Sequence, residues 1–362
     1  MDFLNLSRSI EEIRTPLIEG ISDVVLGGDY ILGSNLTSFE KDFANFVGSS
    51  YCVGVANGLD ALVLSLKVLN IGPGDEVIVP SHTFIATWLA VSAVGATIVP
   101  VEPDLENYVI RYEDVVKKVT SRTKAIIVVH LYGYPVDMLP FDQLKSKGIF
   151  LIEDAAQAHG ASVSGRRIGS SGNLVCWSFY PGKNLGALGD AGGITTDDES
   201  YAELLRSLRN YGSRMKYVHD NLGFNSRMDE LQAKVLSIKL NYLAEWNFRR
   251  AIIAKIYMES LIDLPIFLPN YSMNCDTVWH LFVIRTVDRD QLKSFLDESG
   301  ITTLIHYPIP PSRQLAYLGF NNLHLPVAEE ISRTCLSLPI GPHVQIEEAK
   351  YVVEKIYEFY SR

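Results

Sequence analysis

Short apolar runs of strand length alternate with longer stretches of helical periodicity through the first two-thirds of the chain. We predict strands at Tyr51–Val55, Glu76–Val79, Thr97–Val101, Lys124–His130, Ile149–Asp154 and Val175–Phe179. Between them, apolar residues spaced three and four apart predict helices, for example from Gly58 onward and from about Phe84 to Val94. Strands that alternate with helices and are apolar on both faces are typical of a mostly parallel sheet covered on both sides.

The pattern changes near Asp229. One long helix is predicted over residues 229–262, followed by a strand at Val278–Arg285, a helix at Asp288–Glu298 and a last helix at Ile346–Tyr360. A chain of 362 residues is long enough for a large domain and a smaller one. We therefore predict an α/β fold with a large α/β domain over residues 1–240 and a small α+β domain over residues 241–362.

Charge and composition argue against a nucleic acid, a membrane or a metal ion as a binding partner. The formal net charge of -10 argues against a nucleic acid, which needs clustered Lys and Arg. No stretch has the roughly 20 apolar residues of a membrane span, and the first residues lack the basic start of a signal peptide. The four cysteines form no C-x-x-C pair, and no His or Cys cluster suggests a metal. We expect a soluble cytoplasmic protein with reduced thiols.

An acidic pair ends the strand that closes at Asp154. In parallel sheets, ligands lie beyond the carboxyl ends of the strands, so Asp154 is expected at the ligand edge. There it could hold a pyridine nitrogen protonated. A carboxylate in this position is as often the N-cap of the next helix, and the residues alone leave both interpretations open.

Lys183 follows a predicted strand and a Pro-Gly turn, and several glycines come after it. A lysine near apolar walls has a lowered pKa and supplies the free amine that a Schiff base requires. A loop lysine taken by itself is more often a solvated charge. Ser178, at the end of the preceding strand, could donate to a phosphate or simply be a small residue at a strand end.

Together these segments resemble the DegT/DnrJ/StrS family of sugar aminotransferases, which have the fold-type I architecture of enzymes dependent on pyridoxal 5'-phosphate (PLP). The resemblance runs from Gly33 to Pro339. It is carried by the segments Val55–Leu62, Gly74–Pro80, Glu153–Gly160, Ser178–Asn184 and Asn225–Ala233. Each segment is a weak match alone, but their common order is highly specific.

The resemblance implies a role for each matching residue. Lys183 would hold PLP covalently and shuttle protons, and Asp154 would pair with the ring nitrogen. The ring would lie between Phe84 and Gln157. The phosphate would be bound by Gly58, Leu59 and Ser178, although Leu59 lacks the hydroxyl found in many relatives. Asn225 would reach the phosphate of the neighbouring subunit, which implies a homodimer with shared active sites.

The resemblance also implies a reaction. An amino group from L-glutamate would pass to C3 of a dTDP-linked 3-keto-6-deoxyhexose, giving a dTDP-3-amino-3,6-dideoxyhexose for a surface polysaccharide such as O-antigen. His306 and Tyr307 would contact the sugar, and Arg214 and Lys216, with Arg227, are candidates for the pyrophosphate. Loop packing for His306 and solvated surface charge for the cations are the competing interpretations.

Other functions remain to be weighed against this one. Within the family, a 4-aminotransferase is the main alternative, and a dehydratase with His in place of the lysine is disfavoured by Lys183. A dinucleotide-dependent oxidoreductase is disfavoured because no G-x-G-x-x-G follows the first strand. A PLP-binding regulator without turnover is disfavoured by the intact set of Asp154, Gln157 and Lys183. The orientation of the C4 hydroxyl is not indicated by any residue.

Overall fold

A computed structural model describes all 362 residues. Its strands are β1 Tyr51–Val55, β2 Glu76–Pro80, β3 Thr97–Val101, β4 Thr123–Val129, β5 Phe150–Asp154, β6 Ser162–Val163, β7 Arg166–Arg167, β8 Leu174–Ser178, β9 Gly192–Thr196, β10 Ser213–Met215, β11 Val218–His219, β12 Cys275–Asp276, β13 Phe282–Arg285 and β14 Cys335–Leu338. Seven of them form the central sheet in the order β1-β9-β8-β5-β4-β2-β3. The predicted α/β class with a mostly parallel sheet is confirmed.

Strand β9 is the element of this sheet that the sequence pattern did not predict. It pairs antiparallel with both β1 and β8, whereas β8, β5, β4, β2 and β3 are mutually parallel. Its sequence begins with two glycines and ends with two threonines, so it shows no apolar run, although every residue of it is buried. A Cβ at Gly192 would lie 2.4 Å from the carbonyl carbon of Asn57, so only glycine permits this close approach.

Helices cover both faces of the sheet. They are α1 Leu6–Ser9, α2 Arg14–Gly27, α3 Ser34–Val47, α4 Gly58–Val68, α5 Ala86–Ala93, α6 Tyr112–Val116, α7 Glu199–Leu208, α8 Glu230–Leu240, α9 Leu243–Ser260, α10 Arg289–Glu298, α11 Pro326–Thr334 and α12 Ile346–Tyr360. Helix α4 begins where its sequence provides a cap, because the Asn57 side chain accepts a hydrogen bond from the Asp60 N–H at 2.8 Å. No helix is both long and apolar enough to cross a membrane.

The single long helix predicted over residues 229–262 is wrong. The structure has two helices, α8 and α9, with a break at Asn241 and Tyr242. The Asn241 side chain donates to the carbonyls of Ser237 and Ile238 at 3.1 and 3.4 Å and so competes with continuation of the helix. Neither glycine nor proline marks this break, which is why the periodicity did not reveal it.

The C-terminal part has its own core. Strand β13 pairs antiparallel with β14, and the strand predicted at 278–285 is confined to its second half. Helices α9, α10 and α12 pack around this pair through buried side chains that include Ile253, Leu292 and Val352. The division into residues 1–240 and 241–362 stays a prediction; it coincides with the break between α8 and α9.

Candidate active site

The carboxyl ends of β5 and β8 bring the predicted chemistry together. Strand β5 ends at Asp154 and β8 ends at Ser178, and these two strands are neighbours in the sheet. The chain continues from Ser178 into the turn that carries Lys183, whose N–H donates to the Tyr180 carbonyl at 2.8 Å. A single sheet edge therefore presents both a carboxylate and an amine.

Lys183 is half-buried and lies within the electrostatic reach of Asp154. Burial lowers the pKa of Lys183 to about 8, and the negative charge of Asp154 works in the opposite direction. The amine consequently has a substantially larger neutral fraction near pH 7 than a solvated lysine. This is the form that acts as a nucleophile or a base.

Asp154 is a buried carboxyl with both oxygens engaged. Thr87 donates its hydroxyl to Oδ2 at 3.1 Å, and the Ala156 N–H donates to Oδ1 at 3.2 Å. Burial raises the pKa of Asp154, while these donors and the charge of Lys183 oppose the rise. A buried carboxylate with these partners is stabilised further by a cationic N–H placed beside it, as a protonated pyridine would be.

The start of α4 forms a cradle suited to an anion. The first hydrogen bond within α4 runs from the Ala61 N–H to the Asn57 carbonyl, and the Asp60 N–H donates to the Asn57 side chain. The N–H groups of Gly58 and Leu59 come before these bonds and are therefore available to a ligand. Ser178 closes the cradle, since a Cβ at Gly58 would lie 2.7 Å from its Cβ. Two backbone donors and a hydroxyl at a helix N-terminus fit a phosphate.

Gln157 links the sheet edge to the loop that carries Tyr307. Its Oε1 accepts from the Tyr132 N–H at 2.6 Å, which fixes the orientation of the amide. Its Nε2 therefore donates to the Tyr307 hydroxyl at 3.1 Å. The Phe84 ring, more than half exposed, lies 5.6 Å from the Tyr307 ring. Phe84, Gln157 and Tyr307 thus lie together. Burial raises the pKa of Tyr307 and the charge of Asp154 adds to that rise, so this group lies within electrostatic reach of Asp154.

His306 is half-buried and held from two sides. Its Nδ1 lies 2.8 Å from the Ser337 hydroxyl, and its ring lies 5.7 Å from that of Phe3. Burial, followed by the charge of Lys183, lowers the pKa of His306 to about 4, so the ring is neutral at physiological pH. The structure therefore places His306 and Tyr307 in the electrostatic neighbourhood of Lys183 and Asp154.

The structure does not bring the remaining predicted residues into this cluster. Arg214 and Lys216 lie on the β10–β11 hairpin, where Arg214 is 3.9 Å from Glu203 and Lys216 stacks on Tyr217. Asn225 is exposed and bridges to Asn210, and Arg227 donates to the Asn210 side chain at 3.3 Å. None of these four side chains bonds to the cluster of their own chain, so their assignment to the site stays a prediction.

Several residues of the cluster were missed by sequence reasoning. Thr87 orients Asp154, and Tyr132 orients Gln157 while its hydroxyl donates to the His306 carbonyl and accepts from His82 Nε2 at 2.9 Å. The one available signal was position, because Tyr132 lies three residues beyond the carboxyl end of β4 and Asp154 is the last residue of the neighbouring strand β5. The side chains that contact it come from distant segments and carry no local pattern.

A model of the DegT/DnrJ/EryC1/StrS aminotransferase family matches residues 11–357. The chain belongs to this family. Relatives match it over nearly their whole length. The dTDP-3-amino-3,4,6-trideoxy-alpha-D-glucose transaminase of Streptomyces venezuelae is 50% identical over 99% of this chain and 96% of its own. The dTDP-3-amino-3,6-dideoxy-alpha-D-galactopyranose transaminase of Aneurinibacillus thermoaerophilus is 49% identical over 99% of both chains.

Solved structures of family members share the fold throughout. S. venezuelae DesV in complex with a ketimine intermediate superposes with a TM-score of 0.98 at 49% identity, covering 100% of this chain and 98% of that one. The predicted membership in a PLP-dependent aminotransferase family is thereby confirmed. No group of three or more His, Cys, Asp or Glu side chains could hold a metal ion.

Proposed function

We propose that the enzyme transfers an amino group from L-glutamate to C3 of a dTDP-linked 3-keto-6-deoxyhexose and forms a dTDP-3-amino-3,6-dideoxyhexose. The observation that carries the proposal is that the half-buried Lys183 and the buried Asp154 share one sheet edge, each within electrostatic reach of the other, with the anion cradle of Gly58, Leu59 and Ser178. The position of amination is supported by the two relatives above, both named as transaminases of 3-amino sugars.

The residues of the cluster fit PLP. Lys183 would hold the cofactor, Asp154 would face its ring nitrogen, Phe84 and Gln157 would flank the ring, and the α4 cradle would bind the phosphate. When bound, PLP supplies an electron sink that stabilises negative charge on the carbon that bears the amino group. The cradle is a fixed feature of the chain, since both Gly58 and Gly192 leave no room for a side chain beside it.

The chain itself supplies proton transfer and orientation. Nζ of Lys183 takes the proton from the carbon of the amino donor and later gives a proton back, which its lowered pKa allows near neutral pH. The Asp154 carboxylate keeps the ring nitrogen protonated, and Thr87 and Ala156 hold that carboxylate in place. The half-buried His306 and Tyr307 border the cleft where the keto sugar would bind.

We also propose that the active form is a homodimer in the cytoplasm whose subunits share their active sites. Support comes from the β10–β11 hairpin and its flanks, which expose Tyr217 at 84% and Leu222 at 97% next to the cations Arg214 and Lys216. Asn225 is likewise exposed. Exposed apolar surface combined with exposed cations suits a segment that completes the site of a partner subunit.

The assignment is tested by incubating the enzyme, PLP and glutamate separately with dTDP-linked 3-keto and 4-keto 6-deoxyhexoses, with product followed by mass spectrometry and NMR. Amination of the 3-keto sugar alone is expected. Amination only at C4 would refute the C3 assignment and leave the aminotransferase chemistry standing. Glutamate should also bleach the visible absorbance of the holoenzyme; a regulator without turnover would bind PLP but show no bleaching.

A further inference from the structure

One buried hydroxyl connects the two ends of the α4 cradle. Ser226 is buried, and its Oγ accepts a hydrogen bond from the Ala56 N–H at 3.2 Å. The same Oγ lies 2.6 Å from Oδ2 of Asp60. A carboxylate is only an acceptor, so the Ser226 hydroxyl donates its proton to Asp60. This pair of hydrogen bonds, the Ser226 link, therefore uses the hydroxyl as acceptor at one end and as donor at the other.

The two partners of Ser226 bracket the phosphate donors along the chain. Ala56 directly follows β1, and Asp60 lies in the first turn of α4. The residues with available N–H groups, Gly58 and Leu59, come between them. Because these N–H groups precede the hydrogen bonds of α4, the helix does not hold them in place through its own bonds. Their orientation depends on how the ends of this short stretch are tied.

Packing against the sheet restrains the same backbone. A Cβ at Gly192 of β9 would lie 2.4 Å from the carbonyl carbon of Asn57 and 2.9 Å from the Gly58 nitrogen. A Cβ at Gly58 would lie 2.7 Å from that of Ser178 in β8. The sheet thus leaves the cradle little room, and the Ser226 link adds a restraint from a segment that belongs to no strand of that sheet.

A separate set of hydrogen bonds fixes the position of Ser226. Its N–H donates to the Arg209 carbonyl at 2.9 Å. Arg209 is buried and paired with Glu40. Together they engage both backbone groups of Gly54 in β1, since Arg209 donates to its carbonyl at 2.7 Å and Glu40 accepts from its N–H at 2.8 Å. Ser226 is therefore anchored to β1 independently of its hydroxyl, and loss of the hydroxyl alone should leave this segment in place.

We propose that Ser226 is a positioning residue for the phosphate of the cofactor. Its hydroxyl ties Ala56 to Asp60 and so holds the N–H donors of the α4 cradle in the arrangement that binds phosphate. Donors that are already ordered bind an anion more tightly than mobile ones, because no ordering cost is left to the binding step. We rely on the proposed function only in taking PLP as the ligand of this cradle.

Two ligands isolate the contribution of the phosphate. Pyridoxal reacts with the same lysine as PLP but lacks the phosphate group. In titrations of the apoenzyme followed by absorbance, Ser226→Ala should bind PLP roughly tenfold more weakly than the wild type, the effect of one lost hydrogen bond. Its affinity for pyridoxal should stay within about twofold of the wild-type value, because the lysine and the ring contacts are unchanged.

Ser65→Ala is the matched control. Ser65 is also a buried serine, it lies in α4, and its hydroxyl is 3.2 Å from Sγ of Cys176 and not part of the Ser226 link. Both variants lose a buried hydroxyl, so both should lose some stability in urea. Only Ser226→Ala should change the ratio of PLP affinity to pyridoxal affinity, which a merely structural role would leave at the wild-type value.

Variants of Asp60 test the other end of the link. Asp60→Ala removes the acceptor without altering the segment that contains Asn225, and it should show the same selective loss of PLP affinity. Asp60→Asn removes the charge but keeps an oxygen that accepts from Ser226, so it should bind PLP more tightly than Asp60→Ala. If Ser226→Ala alone loses affinity, the serine acts through its neighbour Asn225 and the proposed link is wrong.

The titrations also separate this proposal from the proposed function. Equal losses of PLP and pyridoxal affinity in Ser226→Ala, or no loss of either, would contradict a role in phosphate binding. A wild-type apoenzyme that binds neither ligand would refute the PLP site itself, and the role of Ser226 with it. Neither titration involves the sugar, so an error in the C3 assignment would not change the expected ratio.

Discussion

The Lys183 turn and the β10–β11 hairpin are opposite kinds of loop. Lys239 Nζ donates to the Gly186 carbonyl at 2.6 Å, Gln232 accepts from the Leu188 N–H at 2.8 Å, and Asn184 has three partners. The hairpin at residues 213–219, by contrast, leaves its aromatic and cationic side chains largely in solvent. The polar groups of the Lys183 turn named here thus find their hydrogen-bond partners within one chain.

This difference indicates how the two halves of the proposed site are built. A reacting amine must be held in one geometry, and the buried polar contacts of the Lys183 turn provide that preorganisation. Residues that contact a partner subunit or a large substrate must remain accessible until they bind. Substitutions in the turn should therefore act within one chain, and substitutions near the hairpin should depend on the partner.

The largest effect is expected for Asp154→Asn. The variant should still bind PLP through the α4 cradle, yet lose about 10²- to 10³-fold in turnover, because an amide cannot keep the ring nitrogen protonated. Steady-state rates and the visible spectrum of the holoenzyme measure the two properties separately. Asp142→Asn, an exposed carboxylate paired with Lys145, is the matched control and should behave like the wild type.

An intermediate effect is expected for Asn225→Ala, which should weaken cofactor binding roughly tenfold through loss of one hydrogen bond to the phosphate. A mixture of inactive Lys183→Ala and Asn225→Ala subunits, allowed to exchange, tests whether that bond crosses the interface. Random exchange makes about half of the dimers mixed. If the site is shared, each mixed dimer has one of its two sites intact, so about a quarter of wild-type activity should return at limiting PLP. If Asn225 served its own chain, mixing would restore nothing.

The smallest effect concerns Lys239, a buried cation whose one partner is a carbonyl. Burial lowers the pKa of Lys239 to about 8 in the folded protein, so between pH 8 and its unfolded value near 10.5 the unfolded chain binds more protons. Stability from this group therefore rises with pH across that window. Urea denaturation measures this as the free energy of unfolding at each pH. From pH 8 to 10.5 the value for the wild type should rise relative to that for Lys239→Met. If the free energies of the two proteins change with pH in the same way, Lys239 is not desolvated in the folded protein.

The sequence pattern predicted the parts of the fold that depend on local periodicity. The strands ending near Asp154 and Ser178 are apolar runs, and helix α4 begins where Asn57 caps it. Because both residues come at or just after the carboxyl ends of predicted strands, the sequence placed Asp154 and Lys183 at the same edge of the sheet, and the structure has them there. The individual roles of these two residues came from the family resemblance, because either one alone has an ordinary structural interpretation.

What the sequence could not predict depends on contacts between distant segments. His280 lies 96 positions from Asn184, and Lys239 lies 53 positions from Gly186, so neither bond leaves a local pattern. No residue near His280 in the sequence indicates that its imidazole bonds to the Asn184 side chain. Strand β9 was missed because its two glycines add no apolar side chains to the sequence pattern. These glycines allow the backbone of neighbouring segments to approach closely, which a periodicity of apolar residues does not report.

The central claim is that Lys183 is the lysine that carries the cofactor. Borohydride reduction of the PLP-loaded enzyme fixes the cofactor to its lysine, and digestion followed by mass spectrometry identifies the modified residue. We predict the added mass on Lys183 alone, at about one equivalent per chain. The label on Lys239 or on any other lysine, with Lys183 unmodified, would contradict the proposed site and the mechanism built on it.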